Sequence, residues 1–207
     1  IQPVASRSVI CKGETTTISV TGASTYTWTN GGSGSSFVLN GSVTTVMNYS
    51  VSGTDANGCT INLSATLSEP NQLTTTIFSA AQTPNGDNIT CHGASTGSIN
   101  LTPAGGTTPY SYAWNNNQST QNLTNIPAGN YSVTVTDNNL CTASVNVSIS
   151  EPTTVTVAGT HTNTLCYGGA TGTINLTSSG GTGAYTYTWN DGITTEDRTN
   201  IPSGTYT

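Results

Sequence analysis

Apolar side chains alternate with hydroxyl and amide residues along most of this chain. Ile99 and Leu101, then Tyr110, Tyr112 and Trp114, then Tyr131, Val133 and Val135, then Val145, Val147 and Ile149 each fall two positions apart. A period of two puts every such set on one face of a β-strand, leaving Thr and Ser for the other face. No window of eleven residues carries helical spacing, and Gly-Gly, Pro-Ala-Gly and Asp-Asn-Asn interrupt the runs at hairpin intervals. The pattern predicts an all-β chain, with strands near 97–103, 109–115, 120–126 and 130–136 in its middle third.

The pattern also repeats. Cys91-His92-Gly93 opens a stretch that returns 75 residues later at Cys166-Tyr167-Gly168, and 22 of the 42 positions from Cys91 to Ser132 are identical in Cys166 to Thr207, with no insertion. Identity at that level over a fixed period is duplication. A more distant first copy keeps Cys11-Lys12-Gly13, Tyr26, Trp28, Tyr49 and the closing Asp55-Ala56-Asn57-Gly58-Cys59, which matches Asp137-Asn138-Asn139-Leu140-Cys141. Ser68-Glu69-Pro70 and Ser150-Glu151-Pro152 end the first two copies alike. The expected domains are 1–70, 71–152 and 153–207, the last cut before its final strands.

Each complete copy runs Cys, Trp, Cys, an order shared with Ig-like β-sandwiches. The cysteines here flank strands at turns, so a bridge is expected to join loops and not to cross the core. Four strand passes between them would bring both to one end, which predicts the pairs Cys11 with Cys59 and Cys91 with Cys141. Cys166 is expected to be half of a bridge whose second cysteine falls near position 216, beyond Thr207. Free buried thiols, or an intermolecular bond from Cys166, are the alternatives. Closing a loop of about 50 residues stabilises by about 4 kcal/mol in the chain-entropy model, which matters for a domain small enough to bury a marginal core. Structural bridges of this kind imply an oxidising compartment outside the cytoplasm.

Composition narrows the function. Charged residues are 6% of the chain, with Lys and Arg together only 3 and a formal net charge of -6. Phosphate neutralisation supplies most non-specific nucleic-acid affinity, so DNA and RNA are excluded as partners. No apolar run is long enough to span a bilayer, so membrane insertion is not expected. The chain starts at Ile1 with no signal-like segment, and the expectation is a mature secreted segment from which any export signal has been removed.

The residues that could do chemistry are few. His92 and His161 sit in loops of different copies, and His92 is replaced by Lys12 and Tyr167 in the others, so both are expected to be exposed and non-catalytic. Asp55 and Asp137 precede Asn at the same turn and are expected to cap its backbone. Calcium there, or around Asp191, Glu196 and Asp197, is the one cofactor left open, against too few acidic ligands per site. Trp28, Trp114 and Trp189 recur with Tyr49, Tyr131 and Tyr206, and filling a sandwich core explains that recurrence better than a sugar-stacking platform does. Lys-Asn isopeptide bonds are excluded, since Lys12 is the only lysine. No enzyme is expected.

The second and third copies resemble the SprB-type repeat of Bacteroidota surface proteins. The resemblance rests on Cys91 to Gly93, Thr96 to Ile99, Gly105 to Thr107, Tyr110 to Trp114, Asn125 to Tyr131 and Asp137 to Cys141, and it covers about 71 to 207. The first copy is similar to the Ig-like or PKD-like domains that accompany such repeats, although its Cys-to-Trp distance is shorter. The resemblance implies a very large protein, secreted by the type IX system and displayed on the cell surface for adhesion, gliding motility or extracellular filaments. The residues argue for a semi-rigid stalk, because X-Pro at each junction favours extended backbone. Its expected partners are neighbouring repeats, identical chains bundled side by side into a fibre, and glycans on other cells. An accessory or glycan-binding module of a secreted hydrolase is the competing reading.

Overall fold

A computed structural model of the chain describes residues 3–5, 9–29, 31–40 and 46–207. Among these it contains fifteen strands and no helix, and the chain is all-β. The structure divides into two compact units. One comprises residues 1–78, 100–122 and 131–147, and the other 79–99, 123–130 and 148–207.

The first unit begins with β1 (Pro3–Ala5), β2 (Thr15–Val20), β3 (Thr25–Trp28), β4 (Ser36–Asn40), β5 (Met47–Thr54) and β6 (Thr60–Leu67). They form two three-stranded antiparallel sheets, ordered β1-β2-β4 and β3-β5-β6. In β2 burial alternates strictly, and the period-two pattern becomes a core because Ile18 and Val20 from one sheet meet Trp28, Tyr49, Val51 and Leu67 from the other. Phe37 extends this core, its ring centroid 6.0 Å from that of Trp28 and 6.3 Å from that of Tyr49.

The next six strands are β7 (Thr74–Phe78), β8 (Gly97–Ala104), β9 (Ser111–Trp114), β10 (Leu123–Ile126), β11 (Gly129–Thr136) and β12 (Thr142–Ile149), in sheets β10-β8-β7 and β12-β11-β9. Trp114, Tyr131, Val133 and Val135 are buried. The last strands, β13 (Thr156–Thr162), β14 (Gly172–Ser179) and β15 (Arg198–Ile201), form one sheet in the second unit. Trp189 is buried there too, but Tyr206 is only half-buried and does not belong to the core. The Tyr185 to Trp189 stretch repeats β9 in sequence yet forms no ladder. The strand that pairs with β9 is Val133 to Thr136, and the third copy as given runs only to Thr207, the equivalent of Ser132.

Short strands replace two of the expected long ones, and this changes the count of passes. β9 runs antiparallel to β11, and β10 antiparallel to β8. The segment from β9 to β10 is therefore one descent that changes sheet midway, and β3 and β4 divide the first copy in the same way. The chain makes three passes between its cysteines, not four.

Candidate functional site: a stapled junction

The odd number of passes overturns both predicted disulfides. Cys59 immediately precedes β6, while Ser68, which immediately follows it, accepts a hydrogen bond from Ile10 N, next to Cys11. An eight-residue strand, about 25 Å long, therefore separates Cys11 from Cys59, far more than the roughly 7 Å a bridge tolerates. In the next copy Cys141 precedes β12, and Ser150 after it accepts from Asn88 N and Ile89 N beside Cys91. The expected Cys91–Cys141 pair does not form either, since Cys91 is a free thiol and Cys141 is bonded elsewhere. The bond that does form joins Cys11 to Cys141, with Cα atoms 5.5 Å apart and a sequence separation of 130. Cys59, Cys91 and Cys166 are exposed free thiols.

The bridge staples the end of one sandwich to the β11–β12 turn that follows. Around it, in the first unit, Lys12 Nζ donates to Gln72 Oε1 at 3.0 Å and Gly106 N donates to Asn71 O at 2.7 Å. Gly105 can be nothing but glycine. Its φ is +73°, and a Cβ there would lie 2.1 Å from Gln72 O. A cleft of about 80 Å³ lies between Lys12, Pro70, Leu73 and the two bridged cysteines.

Asp137 holds the far side of the staple. It is 3% exposed, and its Oδ1 accepts from Asn139 N and Cys141 N, both at 2.8 Å, in the turn-capping role expected of it. Asp55 does the same for Asn57 N and Cys59 N. Asp137 makes one more bond that the sequence did not reveal: its Oδ2 accepts from Thr107 N at 2.8 Å, tying the Gly-Gly-Thr loop to the cysteine turn.

The second unit contains a matching junction. Gly181 N donates to Thr153 O at 2.8 Å, as Gly106 does to Asn71, and a Cβ on Gly180 would lie 2.0 Å from Thr154 O. His92, expected to be merely exposed, is engaged here. Its Nδ1 is 3.2 Å from both Pro152 O and Glu151 Oε1, and Gly93 N donates to Glu151 Oε2 at 2.7 Å.

The acidic trio considered for calcium is dispersed onto separate partners. Asp191 makes a two-pronged ion pair with Arg198, at 3.0 and 2.6 Å, and the guanidinium holds its carboxyl below the usual carboxylate range. Glu196 accepts from Tyr187 Oη, and Asp197 from Leu176 N. Among the described residues no three His, Cys, Asp or Glu side chains gather as metal ligands would. Arg198 takes the place of Leu123 in the repeat register and stacks over Trp189 and Tyr206, with its carbon 5.3 Å from each ring centroid. An arginine at the position where the other copy carries a leucine was the available signal in the sequence. His161 lines an open groove of about 620 Å³ floored by Ile174, Ile201 and Tyr206, with no acid or second histidine beside it.

The tryptophans are fixed alike. Trp28 Nε1 donates to Gly34 O, Trp114 Nε1 to Thr120 O and Trp189 Nε1 to Thr195 O, so each indole spends its only donor inside its own copy. Burial raises the Tyr49 and Tyr131 phenols above their ordinary range.

Comparison with known proteins agrees with this architecture. Residues 83–119 and 154–194 match the SprB repeat family. No curated protein matches the chain. Among solved structures, a C-terminal 282-residue fragment of intimin, determined with the intimin-binding domain of the translocated intimin receptor, is 15% identical with a TM-score of 0.50, over 73% of this chain and 64% of the fragment. The chain thus spans less than two thirds of that fragment. Fibronectin(III)-like modules of Clostridium thermocellum CbhA are 14% identical over 72% of this chain and 94% of theirs, with a TM-score of 0.40. An amphioxus IgVJ-C2 molecule is 15% identical over 69% and 99%, with a TM-score of 0.31.

Proposed function

We propose that the chain is a stalk or fibre segment of a very large secreted cell-surface protein of the adhesin, gliding or filament kind, in which repeated β-sandwiches supply reach and not chemistry. The observation that carries this reading is the Cys11–Cys141 bond. A disulfide inside one small sandwich would compensate for its limited core, whereas one that joins successive sandwiches fixes the joint between them. Holding a joint is useful only if the relative placement of neighbours matters, as it does in a stalk. The SprB repeat matches and the Ig-like all-β fold support a repeat module of the cell-surface class. Titratable side chains dispersed onto separate structural partners favour a non-catalytic module.

The reading extends to a Bacteroidota source, type IX export, attachment to glycans of other cells and lateral bundling of identical chains through threonine-rich faces, with no cofactor required. Electron microscopy of the native cell surface, with antibody against this segment, tests it. Label recurring along fibres is the expected result. Label confined to a soluble glycosidase or peptidase that carries one or two such modules would replace the stalk with an accessory module. A glycan array probed with the intact chain separates spacer from sugar binder, and no saturable binding is expected.

A further inference from the structure

We infer that the exposed Cys91 is one half of a second inter-sandwich bridge, and that its partner is the cysteine 75 residues beyond Cys141 in repeat register. This goes beyond the stalk reading and does not depend on it. The five cysteines occupy two kinds of site. Cys11, Cys91 and Cys166 open a tight turn in which their own carbonyls accept from Glu14 N, Ala94 N and Gly169 N. Cys59 and Cys141 close the Asp-capped turn, where each carbonyl accepts from the amide of Asp55 or Asp137. The bond that forms joins a site of the first kind to a site of the second kind in the following copy. Cys91 is of the first kind.

Cys91 also stands at a junction built like the stapled one. Gly181 N to Thr153 O repeats Gly106 N to Asn71 O, and Gly180 presses on Thr154 O as Gly105 does on Gln72 O. Next to Cys91, His92 and Gly93 are anchored to Pro152 and Glu151, much as Lys12 next to Cys11 is anchored to Gln72. The receiving loop is therefore already docked, and what completes the pair is the turn equivalent to 137–141.

The chemistry is a two-electron oxidation. The Cys91 thiolate attacks a small-molecule or enzyme disulfide, releasing one thiolate, and the partner thiolate then attacks the Cys91 sulfur and releases the second. Two protons leave the protein thiols, and the oxidant is reduced to two thiols.

The test extends the full chain after Thr207 with a second copy of its own residues 133–152, which completes the third copy in register. After folding in an oxidised/reduced glutathione buffer, free thiols are alkylated and the bridges mapped by mass spectrometry without reduction. Two alkylated cysteines per chain, Cys59 and Cys166, are expected, with Cys91 joined to the added cysteine. Four alkylated cysteines with the Cys11–Cys141 bond intact, or Cys91 joined to any other cysteine, would overturn the inference. In the C91S form of the extended chain the added cysteine becomes alkylatable, and persistent protection of it also counts against the pairing. The same map on the protein as secreted by its own cells supplies a reading that does not depend on how the added strands fold.

Discussion

Two aspartates that make the same turn are not equally exposed, and this sets what each is worth. Asp137 is buried and accepts three backbone N–H groups, while Asp55 is exposed and accepts two. Removing a buried acceptor leaves its donors unsatisfied, so Asp137→Ala is expected to cost about 3 kcal/mol in urea unfolding, against about 1 kcal/mol for Asp55→Ala. Equal losses at the two sites would show that the Thr107 bond contributes nothing. The turn itself was legible from Asp followed by Asn at fixed distance from cysteine. The bond to Thr107 was not, because it joins residues 30 apart in sequence that share no period.

At the level of elements, β15 and the loop before it carry an exchange that the second copy does not need. Leu123 fills its position on β10, and Arg198 fills the equivalent position on β15 only by pairing with Asp191. The Asp191 carboxyl is held low in the folded chain, so its contribution is complete above the ordinary carboxylate pKa of about 3.9 and fades as pH falls through the lowered folded value. Asp191→Asn is expected to lower Tm at pH 6 and to converge with the parent in strong acid. A D191N/R198L chain, which restores the neutral arrangement of the second copy, is expected to recover the neutral-pH loss. Parallel melting curves at pH 6 and pH 2 would reveal any failure of that convergence. Strand existence and facing were readable from the period of two, but the breaking of one descent across two sheets was not. The tie that breaks it runs through Trp114 Nε1 to Thr120 O and through Gln121 and Asn122 to Leu101, contacts that no alternation of apolar residues records. A single missed sheet change reversed the parity on which both cysteine pairs depended.

For the molecule as a whole, the bridge decides which part of the chain bears a pull. Tension applied between the two termini enters near residue 1, reaches Cys11, crosses the sulfur–sulfur bond to Cys141 and leaves toward Thr207. The segment between the bridged cysteines, which stand 130 positions apart, hangs as a slack loop, and its strands are spared even when the rest is stretched taut. That loop hides about 450 Å of contour length, at about 3.5 Å per residue. Single-molecule stretching in an oxidising buffer should never release it, whereas added reductant, or Cys11→Ser, should lengthen the fully extended chain by about that amount. A series of such shunts would let a chain of linked sandwiches yield briefly under load and spring back without unravelling.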